Sequence, residues 1–277
     1  MEKKFEIPFK TITDLIGSTL VLQKIPERIV SLVPSQTELL FDLGLDKNIV
    51  GITKFCIHPK ERCALKQKIG GTKNFNIEKI KSLNPDLIIA NKEENTKEGV
   101  DKLRNYFPVY VSDITDLTSS LQMIIDLATI TNTVRIGKTM VANIKKEFDI
   151  LESSRNTKII SAAYLIWNNP LMVAGSGNFI DAMLQLAGYK NVFSKNIGRY
   201  PTINHDDLIR EIPEVVFLSS EPYPFKEKHK AEIKQLLPNS KIEIVDGEMF
   251  SWYGSRLLKT PNYLLQLKNK LKGMVVC

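Results

Sequence analysis

The stretch PERIVSLVPSQTELLFDLGL (residues 26–45) decides the fold. A short apolar run from Ile29 to Val33 ends at Pro34, where the pattern changes from strand to helix. Ser35 stands where the N-cap of that helix is expected, and Glu38 follows three residues later, the spacing of a capping box. Leu39, Leu40 and Leu43 supply an apolar face, and Gly44 ends it. A buried strand that runs straight into a capped helix leaves backbone N–H groups pointing beyond its C-terminal end. Parallel α/β sheets hold their ligands there.

The alternation continues outward from this stretch. Ile49–Ile52 reads as a second strand, followed by a loop carrying Phe55, Cys56, His58 and Pro59. Ile77–Leu83 is a short helix that Asn84-Pro85 breaks before the apolar strand Leu87–Ala90. A polar helix over about 95–106 precedes Val109–Val111. Strands separated by helices predict a parallel sheet. Residues 116–154 lack proline, and Val134, Met140, Val141, Ile144, Phe148 and Leu151 form one apolar stripe at helical spacing. A helix of roughly 22 residues from Asn132 would be about 33 Å long. A second alternation then begins: strand Ile159–Ile166, a helix opened by GSGNFIDAMLQLAG (175–188), strands at 215–218 and 242–245, and a last helix after Pro261. The expected fold class is α/β, with an N-terminal lobe over 1–115, a helical linker over 116–156 and a C-terminal lobe over 157–277.

Composition bounds the function. At 277 residues, with 43% apolar and 25% charged side chains, the chain has the makeup of a folded protein large enough for two lobes. Lys and Arg outnumber Asp and Glu by 38 to 31, a net charge of +7. Lysines such as Lys145, Lys146, Lys226, Lys228 and Lys230 are spread over helix faces, and no zinc-finger, RNP or basic-zipper pattern occurs, so no nucleic-acid partner is expected. No run of eighteen apolar residues is present to span a bilayer. The opening MEKKFEIPFKTITDLIG has the lysines of a signal peptide without its apolar core or cleavage site. Three cysteines, Cys56, Cys63 and Cys277, read as free thiols, with a local Cys56–Cys63 bridge as the alternative.

The chain carries no recognisable catalytic constellation. There is no GxxxxGK[ST] and no GxSxG, and GSGNFI lacks the third glycine of a dinucleotide fingerprint, so it reads as a helix-opening turn. His58, His205 and His229 lie far apart without metal-ligand spacing, and His229, within KEKHKAEIK, reads as a surface residue. No metal site, intrinsic cofactor or enzymatic activity is expected. Aromatic residues at strand ends are more telling. Phe55, Trp167, Tyr200, Trp252 and Tyr253 would wall a large flat ligand, with Arg199 and Arg256 meeting its carboxylate or phosphate groups.

Several of these segments resemble the substrate-binding proteins of ABC importers for cobalamin and ferric siderophores, the helical-backbone class of periplasmic binding proteins. Residues 26–45 resemble that family's first strand and helix, TDLIGSTLVLQKIPERIV (13–30) its opening hairpin, and NIEKIKSLNPDLIIA (76–90) its short helix, Pro-Asp pair and buried strand. WYGSR (252–256) resembles a stretch of its cobalamin-binding members. The resemblance implies two Rossmann-like lobes joined by one long helix, with a metal chelate, a corrinoid or the like, held between them. It implies no catalysis, but capture and delivery to an ABC permease and its ATPase by a monomer. His58 and Phe75 join the five aromatics and two arginines as expected ligand contacts. In IGGTKNF only Phe75 stands near the family's usual ligand-stacking tryptophan, which has no counterpart here. One acidic residue per lobe would dock on the permease: Glu78 in NFNIEKI and Asp206 in TINHDDL, the latter shorter than the usual glutamate. A ferric siderophore or haem is the alternative ligand. Relatives are exported, so the missing leader leaves two readings: a periplasmic or cell-surface protein, or a cytoplasmic metallocofactor-handling protein or enzyme on the same lobes.

Overall fold

The structure, a computed structural model, describes residues 10–154 and 159–273. The first nine residues of the opening stretch, the expected boundary between linker and C-terminal lobe at 156–157, and Cys277 therefore lie outside the described residues. In chain order the elements are β1 (Lys10–Thr13), β2 (Thr19–Leu22), β3 (Ile29–Ser31), α1 (Pro34–Asp42), β4 (Ile49–Ile52), α2 (Lys60–Ala64), β5 (Gln67–Lys68) and α3 (Ile77–Ser82). Next come β6 (Leu87–Asn91), α4 (Lys97–Arg104), β7 (Val109–Ser112), α5 (Leu117–Ile130) and α6 (Val134–Ser153). The second half holds β8 (Ile160–Asn168), β9 (Leu171–Val173), α7 (Phe179–Leu186), β10 (Tyr189–Asn191) and α8 (His205–Glu211). It ends with β11 (Val215–Ser219), α9 (Glu227–Leu236), β12 (Lys241–Val245), α10 (Glu248–Ser251) and α11 (Thr260–Gly273).

The chain divides into two compact units. Unit 1 takes the residues up to Ile114, Thr118–Ala142 and Tyr253–Arg256, while unit 2 takes Thr115–Leu117, Asn143–Trp252 and the residues from Leu257. The four-residue return of Tyr253–Arg256 to unit 1 is absent from the expected boundaries. In unit 1 the strand order is β5-β4-β3-β6-β7, every pair parallel, with Ile29, Val30, Ile88 and Ile89 fully buried at its centre. Central strands of a parallel sheet are covered on both faces, which is why they read as unbroken apolar runs instead of alternating. The β1–β2 hairpin is tied to this unit by Asp14, whose carboxylate accepts the N–H groups of Ile16, Ser18 and Val111 and pairs with Arg104 at 3.3 Å.

In unit 2 the parallel order is β10-β8-β11-β12, with β9 returning antiparallel on β8. Leu165, Val216, Leu218, Phe225 and Ile233 pack its core. GSGNFI is a helix-opening turn, as the sequence indicates: Asn178 caps α7 by accepting the Asp181 N–H at 2.9 Å.

The helical stripe becomes two helices. Asn132, at φ 59°, breaks the run between α5 and α6, and α6 is a single helix of 20 residues, about 30 Å long. Its first residues belong to unit 1 and the remainder to unit 2. Gly137 allows α6 to approach α5: a methyl group there would stand 2.4 Å from the Ala128 Cβ.

The capping box expected at Ser35 and Glu38 does not form. Pro34 occupies the first helical turn, where its fixed φ and missing N–H are tolerated, so Val33 is the N-cap and makes no side-chain cap bond. Ser35 lies inside α1, Thr37 Oγ1 donates back to the Val33 carbonyl at 2.8 Å, and Glu38 has a different partner altogether.

Candidate functional site

In unit 1 the loops after β3, β4, β5 and β6 gather at the C-terminal edge of the sheet, held from below by buried amides and hydroxyls. Asn95 Oδ1 accepts the Asn91 N–H at 2.8 Å, and its Nδ2 donates to the carbonyls of Leu32 and Thr72. Asn91 Nδ2 donates to Ser112, whose Oγ also accepts from Gln36 Nε2 at 2.5 Å. The asparagine pair thus ties the loops after β3, β5 and β6 to one another and to the end of β7. The sequence signal was the polar ending of the apolar run LIIAN.

Within the loop after β4, Cys56 anchors inward while its neighbours face out. The Cys56 Sγ lies 3.1 Å from Thr37 Oγ1 and 3.2 Å from Thr53 Oγ1, and burial pushes its thiol pKa up. Phe55 is 51% exposed and Ile57 is also exposed, with Lys54 Nζ 5.1 Å from the Phe55 ring centroid. Cys63 Sγ donates to the His58 carbonyl, and burial raises its pKa to about 11. Both cysteines are free, buried thiols. His58 is half-buried in the same loop.

Phe75 is half-buried. Its ring covers Gly99 of α4, where a methyl group would stand 2.5 Å from it, whereas Phe55 lies against Gly71. Phe75 also lines a shallow pocket of about 490 Å³ with Lys73, Ile77, Thr96, Glu98 and Lys102.

Tyr253 and Arg256 are placed in the body of unit 1. Arg256 is 7% exposed, and its Nε and Nη2 each donate at 2.9 Å to the Glu38 carboxylate, whose side chain is 11% exposed. Gly254 N–H donates to Ser120 Oγ, and burial pushes the Tyr253 hydroxyl pKa above its ordinary value. The guanidinium expected to meet an anionic ligand group therefore serves a buried fork-to-fork ion pair.

Unit 2 places Trp167 at the end of β8, 39% exposed, its Nε1 donating to the Asn169 carbonyl at 3.0 Å. Tyr223 braces it in a T-shaped contact with centroids 5.6 Å apart, and Phe225 and His229 pack edge-on behind. His229, expected on the surface, is 4% exposed. It is the third residue of α9, and its Nδ1 accepts the Lys226 N–H at 2.9 Å, which turns the ring inward. Trp252 is buried as well, its Nε1 donating to Glu221 Oε1 at 3.0 Å beside Ser251 Oγ at 2.9 Å. Burial raises the Glu221 pKa, with the charges of Glu248 and Asp246 adding to it.

Arg199 and Tyr200 are half-buried in the loop between β10 and α8. That loop is anchored through its backbone: Asn178 Nδ2 donates to the Arg199 carbonyl at 2.6 Å. Glu78 and Asp206 are exposed in the first turns of α3 and α8 respectively, Glu78 with Lys81 at 3.1 Å. His205 opens α8, exposed. Among the described residues no group of three His, Cys, Asp or Glu side chains is placed to hold a metal ion, and no helix is long and apolar enough to cross a membrane.

Comparison with known proteins agrees with this architecture. A vitamin B12-binding protein of Vibrio campbellii is 26% identical over 195 residues, 70% of each chain. The solved periplasmic vitamin B12 binding protein BtuF of Vibrio cholerae superposes with a TM-score of 0.78 at 21% identity, covering 90% of this chain and 98% of that one. The periplasmic haem binding protein HutB of Vibrio cholerae does so with a TM-score of 0.74 at 22% identity, over 87% and 98%. These superpositions show that the chain shares the α/β fold of those proteins. The family profile described as periplasmic binding protein matches residues 29–241, and the chain belongs to that family.

Proposed function

We propose that this chain is the substrate-binding component of an ABC importer, capturing a corrinoid or related metal chelate and delivering it to a permease. The family match over residues 29–241, with vitamin B12-binding proteins among the relatives, carries the reading. The reading assigns no bond-breaking chemistry to the chain. Affinity comes from burying a large flat ligand against aromatic side chains at strand ends, oriented by a few polar groups. Phe55 and Trp167 are the exposed aromatic contacts, with His58, Phe75, Arg199 and Tyr200 supplying the remainder. Trp252, Tyr253 and Arg256 support the walls from within, as their burial favours. Glu78 and Asp206 meet basic residues of the permease, giving orientation and a salt-sensitive on-rate. The protein works outside the cytoplasmic membrane, as the periplasmic relatives do. Haem or a ferric siderophore is the second reading, favoured by the likeness to a haem-binding neighbour.

Tryptophan fluorescence titrated with cyanocobalamin, haemin and a ferric hydroxamate tests the proposal. Trp167 is exposed while Trp252 is buried on Glu221, so saturable quenching by one chelate should be smaller in Trp167→Phe than in the wild type. No quenching of the wild type by any chelate refutes it.

A further inference from the structure

Tyr223 is not among the expected contacts, yet its hydroxyl is the best-defined hydrogen-bond donor beside Trp167. The definition comes from His229. The Lys226 backbone N–H can only donate, and it donates to His229 Nδ1 at 2.9 Å, so Nδ1 carries the lone pair. A neutral His229 then bears its proton on Nε2, which lies 3.1 Å from the Tyr223 hydroxyl. His229 is therefore the donor in that bond and Tyr223 the acceptor. Among the described residues, the other group bonded to the hydroxyl, Asn168 Nδ2 at 3.5 Å, is also a donor. Both of the oxygen's lone pairs face donors, and its own proton is left for an acceptor outside this network.

The placement suits a ligand. Tyr223 follows β11 in the loop beyond the strand's C-terminal end, its ring braces the exposed Trp167, and it is itself half-buried. Phe225 lies 4.8 Å from Tyr223, and His229 5.4 Å, centroid to centroid, so the ring is packed and the hydroxyl is preorganised. We propose that Tyr223 is a binding residue of this unit, giving its hydroxyl proton to an acceptor oxygen on the edge of a flat ligand seated against Trp167. The ligand group is an amide carbonyl, hydroxamate or carboxylate oxygen, and His229 is a positioning residue that orients the hydroxyl without touching the ligand. This inference rests on the ligand-binding reading above.

Two measurements test it together. Nitrogen NMR of the ¹⁵N-histidine-labelled protein should find His229 as the Nε2–H tautomer, while the Nδ1–H tautomer overturns the inference because the Tyr223 proton would then be spent on Nε2. Fluorescence titration with cyanocobalamin, haemin and a ferric hydroxamate should show Tyr223→Phe binding its chelate about three- to tenfold more weakly than wild type, the worth of one neutral hydrogen bond. Its thermal midpoint should fall, because the phenyl ring leaves the buried His229 Nε2–H without its acceptor, but the variant should stay folded at the titration temperature. Equal affinity in wild type and Tyr223→Phe overturns the inference and leaves the ligand-binding reading standing. Absence of binding by the wild type overturns that reading, and this inference with it.

Discussion

Replacing Arg256 by Met should destabilise unit 1 severely, and the size of the effect follows from the burial of its partner. Both side chains of the Arg256–Glu38 pair are about nine-tenths buried and joined by two 2.9 Å bonds. Removing the guanidinium leaves the Glu38 carboxylate out of water without its counter-charge, a loss of about 3–5 kcal/mol for a buried pair. Against a typical domain stability of about 5–15 kcal/mol this is a large fraction. With a urea slope of about 2 kcal/mol per molar, the midpoint should fall by roughly 1.5–2.5 M. Hydrogen exchange on the β6 peptide, residues 87–91, assigns the loss to unit 1, because Ile88 and Ile89 are fully buried there. Replacing both partners with Met should recover most of the stability, since an apolar pair of similar volume leaves no stranded charge. A loss below about 1 kcal/mol in Arg256→Met, the range of exposed pairs, would refute the reasoning.

Four further outcomes are expected. Ile212 is a β-branched residue at φ 41° and is 70% exposed, so Ile212→Asn should relieve left-handed strain at little packing cost and raise stability by about 0.5–1 kcal/mol; a lower melting temperature contradicts this. Gly137→Ala should destabilise by about 1–3 kcal/mol in thermal unfolding, overriding the helix-propensity gain, because its methyl would collide with Ala128; a stabilised variant shows that the helices shift freely. Burial raises the Glu221 pKa above its unfolded value of about 4.3, so the folded state binds the proton more tightly. Stability is then greatest below that value and falls as pH rises to the raised folded pKa; Glu221→Gln should flatten this slope, and parallel melting curves contradict it. Glu78→Lys with Asp206→Lys should leave chelate binding intact and abolish stimulation of the transporter's ATPase in reconstituted vesicles; unchanged stimulation makes them ordinary surface charges.

The parallel sheets were legible because burial on both faces writes strands such as Leu87–Ala90 as continuous apolar runs, and the stripe through Val134 and Leu151 marked the long helix. Long-range partners were not legible. Glu38 looks like a capping residue because its neighbours are the only context a short window offers, while its true partner lies 218 positions away. His229 stands in a lysine-rich helix, yet its place as the third helical residue turns it toward the N-cap and into the core. Trp252 and Tyr253 follow a strand as a ligand wall would, but Glu221 and the return of the chain to unit 1 draw them inward. Residue type and proximity to a strand end locate the rim of a site. Which rings face outward depends on hydrogen-bond partners that only the folded chain brings together.

Isothermal titration calorimetry of the whole chain with cyanocobalamin, haemin and a ferric hydroxamate tests the central claim most directly. The account predicts saturable binding of at least one chelate, with a negative heat-capacity change from the apolar surface it buries. Absence of binding heat with all three, at temperatures far enough apart to exclude a chance zero of enthalpy, would contradict it.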